Sequence, residues 1–433
     1  MNRACQNITI RSKNVSAIPL KTHRELIDSR EPGCGFSGEI FGRQDVFEND
    51  VDVFFNKLWI LAGVSADVPE PGDVCTVEVG RASIMIVRDD DENIRTYRNV
   101  CRHRGSRIMK QPGKASVGML VCPYHQWTYD LDGSLKHAAH MGQDFDKKCR
   151  SLIPVHTKVI GAHIFVCLSD EPPEDIAKLE QVMTPRFAPH QMQRTKIAFE
   201  AELIENGNWK LVMENNRECY HCEGTHPELT NSFLPEDFGF CPDGLGEEAM
   251  KSYDAYVARN AKNREDWESE GYVCELFESL DESVHTNFRT QRLVIAGNNE
   301  SQTLSTKVAS TKLLGDLQRR DLGDVHMWGH NSWTHVMSDH SIVAFIVPIA
   351  PDKTLVRTKW LVHEDAVEGV DYDLKTLTEV WLATNQQDAD LVANTHSGTQ
   401  DPAYIPGPYS KYTEGALDQF CRWYSARLKE RGI

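Results

Sequence analysis

Cys101-Arg-His103 and, eighteen residues later, Cys122-Pro-Tyr-His125 place two thiols and two imidazoles in two short segments. Each pair can supply one ligand to each of two metal ions. That suits a [2Fe–2S] cluster in which cysteines hold one iron and histidines the other. Zinc also accepts two Cys and two His, but its sites usually pair like with like, as C-x-x-C followed by H-x3-5-H, so the mixed pairs favour the cluster. Gly105, Pro112, Gly113 and Gly118 predict a loop between the pairs, and Pro123 stiffens the turn of the second.

A second set of donors lies in Glu218-Cys-Tyr-His221-Cys-Glu-Gly-Thr-His226-Pro227. Glu218 and His221 are three residues apart and share a helical face. His221 and His226 are five apart, roughly 140° beyond a full turn of a regular helix. They can meet one metal only if the helix breaks, which Gly224 and Pro227 permit. Two nearby histidines also suit an ordinary core or surface. A third ligand is sought on a late helix, where Leu374, Leu377, Trp381, Thr384, Asp388 and Leu391 make one mostly apolar stripe. Asp388 sits on that stripe and Asp390 off it. A carboxylate on a buried face needs a partner, and for Asp388 a salt bridge to arginine serves as well as a metal. With His221 and His226 it would complete a two-histidine, one-carboxylate site for non-haem iron with open positions for O2 and substrate.

The elements that must position these groups follow from periodicity. Residues 1–40 read as an irregular arm. Val46, Val51, Phe54, Phe55 and Leu58 make a rough helical face. Short β-rich runs then recur at Cys75–Val79, Ser83–Val87, Ile94–Val100 and Lys158–Cys167, which predicts a small antiparallel β domain carrying the first four ligands. Ser169-Asp-Glu-Pro-Pro-Glu-Asp reads as a linker. Beyond it come a strand at Arg194–Ile204 and a helix opened by Gly207-Asn208-Trp209-Lys210 that contains the second site. Three strands are predicted at Ser332–Met337, Ile342–Ile349 and Leu355–Val362, and helices at Leu374–Val392 and Thr413–Leu428. Residues 243–325 are polar and weakly periodic. The expected division is an arm and helix over 1–55, a β domain over 56–170 and a catalytic domain over 171–433.

A chain of 433 residues can hold two or three such units. Its net charge of −17, with no basic stripe, argues against a nucleic-acid partner. It suits a soluble protein and mildly favours a cationic ligand. No signal peptide or membrane-spanning run is evident. The twelve cysteines are scattered, which in a reducing cytoplasm leaves Cys5, Cys34, Cys75, Cys149, Cys167, Cys241, Cys274 and Cys421 as free thiols.

The segments "CRHRG" and "CPYHQWTYDLDG" resemble the [2Fe–2S] domain of Rieske-type non-haem iron oxygenases. That family carries a D-x-x-H-x4-H pattern where Glu218, His221 and His226 stand. The resemblance implies an α+β fold: an N-terminal antiparallel β Rieske domain, then a helix-grip-like catalytic domain in which helices cover an antiparallel sheet. It implies a Rieske cluster on Cys101, His103, Cys122 and His125, and mononuclear Fe(II) on His221, His226 and Asp388. Glu218 then bridges cluster and iron between subunits of a homotrimer. The spacer between the cluster pairs is slightly long for the family, and the surplus is placed at a loop tip near Ala115-Ser116.

Glu218 departs from the usual Asp. With "NWKLVMENNRECYHCEGTHPEL", "TKWLVHEDAVEGVDYDL", "TNQQDADLV" and "YIPGPYS", it is similar to the branch that oxidises quaternary ammonium compounds. The implied reaction is hydroxylation of an N-methyl group, glycine betaine first, with loss of formaldehyde. Stachydrine, choline or carnitine oxidation and aromatic-ring hydroxylation are the alternatives. A pure electron carrier would not need the long second half. No G-x-G-x-x-G nucleotide fingerprint lies beside a strand, so NAD(P)H electrons would come through a separate flavin/iron-sulfur reductase. Ring faces suit a quaternary ammonium substrate, and Trp328 and Trp333 are the candidates.

Overall fold

Strand Ala82–Arg88 is apolar almost throughout because both of its faces are covered. Ile84 and Ile86 pack toward the interior of the whole molecule, whereas Met85 and Val87 join Cys101, Cys122, Trp127 and Tyr129 in a separate small core. With Asp73–Val79, Ile94–Arg98 and Lys114–Ser116 it forms a four-stranded antiparallel sheet. Two three-stranded antiparallel sheets complete the unit, one from Ile60–Val64, His163–Cys167 and His156–Ile160, the other from Leu120–Val121, Thr128–Tyr129 and Leu135–His137. The structure is a computed structural model and describes residues 20–110 and 113–433. The readings of residues 1–19 (including Cys5) and of Pro112 lie outside the described residues.

Ala115 and Ser116 are not at a loop tip. They form an edge strand that pairs with Asp73 and Val74. The added length therefore extends the sheet.

The second half is built on a seven-stranded antiparallel sheet. Its order is Thr195–Glu205, Lys353–His363, His340–Ala350, Ser332–Val336, Asp324–Trp328, Phe288–Leu293 and Phe277–Ser279. The helix Leu374–Thr399 lies against the first of these strands and is tied to the sheet by Asn385 Nδ2 donating to Thr358 Oγ1 at 3.0 Å. The last helix, Gly415–Glu430, packs Phe420, Trp423 and Tyr424 beneath the same core.

Two elements differ from the periodicity. Residues 247–269 form a helix whose only buried side chain is Trp267, so it has no apolar face to read. Phe288–Leu293 is buried along its whole length although four of its six residues are polar. Arg292 Nη1, for example, donates to Leu322 O at 2.8 Å. A strand that buries hydrogen-bonded polar groups does not alternate in the expected way.

The arm is also more ordered than its composition suggests. Thr22 and Glu25 form a capping box that starts the helix His23–Asp28. Asp50, fully buried, accepts from Trp209 Nε1 at 3.0 Å, Tyr424 Oη at 2.6 Å and Lys210 Nζ. This network fastens residues 20–56 to the C-terminal half.

Candidate active site

The first four ligand residues sit on two loops of matching construction. Cys101 N–H donates to Ser106 O at 2.8 Å, and Cys122 N–H donates to Trp127 O at 2.8 Å. In each loop the residue four beyond the cysteine returns an N–H to the cysteine carbonyl, at 3.1 Å from both Gly105 and Gln126. Both residues have positive φ, 76° and 58°. Glycine reaches this region without strain, which explains Gly105. The sharp turns bring the two imidazoles together and set Cys101 beside Cys122.

The His103 and His125 rings stand 4.6 Å apart, and Trp127 stacks on His103 at 4.7 Å. Both cysteines are buried. Burial raises the Cys101 thiol, as does neighbouring Cys122, while the Tyr129 hydroxyl lowers it. His103 Nδ1 is buried without a hydrogen-bond partner. An orphaned imidazole nitrogen beside two buried sulfurs fits a metal cluster better than a satisfied core.

The second set begins after a helix break. The helix Trp209–Asn215 ends before Glu218, and a separate turn, Cys222–Thr225, separates the two histidines. The second site therefore follows the first helix and is not contained in it. This break supplies the rotation that an unbroken helix would deny His221 and His226. Cys219 and Cys222 are joined by a disulfide in the same turn, a local bridge of three-residue separation and not a framework.

Here the ligand atoms converge. His221 Nε2 and His226 Nε2 are 3.1 Å apart, and Asp388 Oδ1 lies 3.1 Å from His226 Nε2 and 3.5 Å from His221 Nε2. Yet Asp388 Oδ1 is buried and makes no hydrogen bond of acceptable geometry. Three donors spaced about 3 Å apart match the edges of an octahedron with metal–ligand bonds of about 2.1 Å. The arrangement fits a facial triad.

Each ligand is oriented from behind. His221 Nδ1 meets Glu218 Oε1 at 2.5 Å, and His226 Nδ1 meets Gln387 Oε1 at 2.8 Å. Gln387 Nε2 in turn donates to Glu228 Oε2 at 2.8 Å. Burial lowers the His221 imidazole, but contacts with Asp388 and Glu218 outweigh it and push the group up to about 9. Burial likewise raises Asp388, and the two imidazoles outweigh it and hold the carboxyl below its ordinary range. Such mutual charge compensation is what a cation would supply between them. Asp390 is exposed and accepts from Gln386, as the helical stripe requires.

The triad opens into a small cavity also lined by Phe233, Phe238, His326, His335 and Trp381. Trp328 and Trp333 do not line it. They form a cross-strand pair in the core, and the Arg217 guanidinium lies 4.2 Å over the Trp328 ring. His326 and His335 occupy the same sheet face two residues along each strand. The two tryptophans therefore lie one alternation step from the cavity that the triad opens into.

Residues 58–159 match the Rieske [2Fe-2S] domain, and residues 189–430 match the ring hydroxylating alpha subunit (catalytic domain). The chain belongs to the Rieske non-haem iron oxygenases. It is therefore an oxidoreductase of the kind that carries a [2Fe–2S] cluster and a mononuclear iron. This Rieske oxygenase is similar to the glycine betaine monooxygenase oxygenase subunit of Pseudomonas aeruginosa UCBPP-PA14, at 39% identity over 94% of this chain and 92% of that one. Its similarity to the subunit of the same name from Chromohalobacter salexigens is 40% over 94% and 88%. A quaternary ammonium Rieske monooxygenase solved with L-carnitine shares the fold, with TM-score 0.65 and 20% identity over 94% of this chain and 99% of that one. Naphthalene 1,2-dioxygenase with bound indole does so with TM-score 0.63 and 18% identity over 92% and 93%. Among the described residues no helix is long and apolar enough to cross a membrane.

Sequence reasoning missed Gln387, His326, His335 and the phenylalanines. Gln387 had one local signal, its place beside Asp388 on the late helix. The others become neighbours only when the sheet forms.

Proposed function

We propose that this protein is the oxygenase component of a monooxygenase that hydroxylates an N-methyl group of a small quaternary ammonium compound, glycine betaine first. The likeness to glycine betaine monooxygenase oxygenase subunits over nearly the whole of both chains carries this reading. The cavity supports it. Phe233, Phe238 and Trp381 offer electron-rich faces to a cation beside the triad.

Cys101, His103, Cys122 and His125 would hold the cluster, and His221, His226 and Asp388 the iron. When bound, the two centres supply electron storage and O2 activation. The residues of the chain supply placement. Glu218 keeps a proton on His221 Nδ1, so that Nε2 faces the triad. Gln387 does the same for His226 from its carbonyl oxygen. In a homotrimer Glu218 would join the iron site of one subunit to the cluster of the next. The ring-lined cavity limits water around the reacting methyl group.

The balanced reaction joins the trimethylammonium substrate, O2, two electrons and two protons. The products are the protonated dimethylamine, formaldehyde and water. A separate reductase provides the electrons from NAD(P)H. Formaldehyde release from glycine betaine, stachydrine, choline, carnitine and an aromatic acid, with a surrogate reductase and O2, tests the reading. Formaldehyde from none of the N-methyl compounds would overturn it.

A further inference from the structure

The rings of the cavity form a continuous series, and two of its members, His326 and His335, are imidazoles outside the triad. Phe233 and Phe238 have centroids 5.0 Å apart, Phe238 and His326 5.6 Å, His326 and His335 4.7 Å, and His335 and Trp381 4.5 Å. A purely cationic substrate would need only the carbon rings. The imidazoles bring polar atoms to a wall that otherwise offers π-faces.

His335 is held by a built network. Its Nδ1 lies 2.6 Å from Asp324 Oδ2, which also accepts from Gln302 Nε2 at 3.0 Å. Asp324 Oδ1 accepts the Val336 N–H at 2.9 Å. Asp324 is fully buried, and a buried carboxylate needs an opposite charge and several donors. The pairing therefore keeps a proton on His335 Nδ1. His335 Nε2 has no hydrogen-bond partner among the described residues. Beside it, His326 is 3% exposed and its Nδ1 is unpartnered. Gln302 also accepts the Trp381 indole N–H at 2.8 Å, so one network fixes both the histidine and a ring on the helix that carries Asp388.

We propose that His335, backed by Asp324 and assisted by His326, binds the carboxylate of a zwitterionic trimethylammonium substrate and so selects a betaine over the corresponding alcohol. The inference rests on the N-methyl reading above. With its Nδ1–H donating to Asp324 Oδ2, a doubly protonated His335 would present a second N–H from Nε2 and bridge two carboxylates. The charge-assisted bond to the substrate has no equal in a neutral hydroxyl. The same cavity would hold the trimethylammonium against the neighbouring phenyl and indole faces.

The test uses the iron- and cluster-loaded enzyme with a surrogate reductase. Glycine betaine and choline are compared in wild type and His335→Gln by kcat/KM and by anaerobic calorimetry. The variant should lose about 10- to 100-fold for glycine betaine, with choline changed far less and the cluster spectrum intact. Equal losses for both substrates would give His335 a structural role and overturn the proposal. Wild type that demethylates choline but not glycine betaine would overturn it while leaving the N-methyl reading in place. Turnover of neither would overturn the proposal, and the wider N-methyl reading falls with it only if stachydrine and carnitine are inert as well. His326→Asn supplies the same ratio if the first variant does not fold. Binding of glycine betaine against its methyl ester by wild type needs no variant: equal affinity would overturn the proposal, and a weaker ester would support it.

Discussion

His221 Nδ1 and Glu218 Oε1 are 2.5 Å apart, while Nε2 of the same ring points at His226 and Asp388. Glu218 thus stands one hydrogen bond behind the three convergent donor atoms. Its other oxygen accepts the Tyr220 N–H. Glu218→Gln should retain iron and cluster yet slow cluster reoxidation by orders of magnitude in single turnover with substrate and O2. Wild-type rates with full iron would remove the coupling role, and loss of iron would make Glu218 part of the metal site.

On one helix Asp388 faces His221 and His226 while Asp390 faces solvent. Asp388→Ala should lose mononuclear iron and turnover while keeping the cluster absorbance. Asp390→Ala, on the exposed face, should change stability by no more than about 0.5 kcal/mol. Iron analysis beside the visible spectrum decides the matter, and an exchange of the two outcomes would reject the register.

Cys101→Ser or His103→Ala should abolish the visible [2Fe–2S] absorbance. The catalytic half should remain able to bind iron, because its sheet and triad draw on residues beyond the linker. A full cluster spectrum in either variant would refute the ligand assignment.

Acid should destabilise the fold through buried neutral histidines. Burial lowers His163 to about 4, His190 to about 3 and His330 to about 4, from an ordinary 6.5. Below pH 6.5 the unfolded chain therefore binds more protons than the folded one, and stability falls as pH drops toward 4. Each group contributes about 3 kcal/mol across that window. His190→Leu removes one of them, so its melting temperature should fall less between pH 7 and pH 4.5 than that of wild type. Parallel curves would contradict this account.

Much of the site was legible because its signals are local. The Cys-x-His and Cys-x-x-His pairs carry their donor chemistry in residue type and spacing alone. The stripe of Trp381, Thr384 and Asp388 follows from helical periodicity, and it separates Asp388 from Asp390 without any tertiary knowledge. Long apolar strands such as His340–Ala350 were visible for the same reason. The helix Glu247–Ser269 was not, because a solvent-covered helix has no apolar face. Nor was the polar strand Phe288–Leu293, where Arg292 is buried on the distant carbonyls of Val273 and Leu322.

The sequence by itself determined the two sets of candidate donors, the break that His221 and His226 need in order to meet, and the helical face that holds Asp388. Side-chain identity and short-range geometry suffice for these. Only the tertiary structure decided which rings surround the triad. Sheet register brings His326 beside His335 and carries Trp328 and Trp333 one step past the cavity. Gln302 reaches Asp324 and Trp381 from a loop far from both in the chain. Such meetings depend on packing between segments remote in sequence, which no local period encodes.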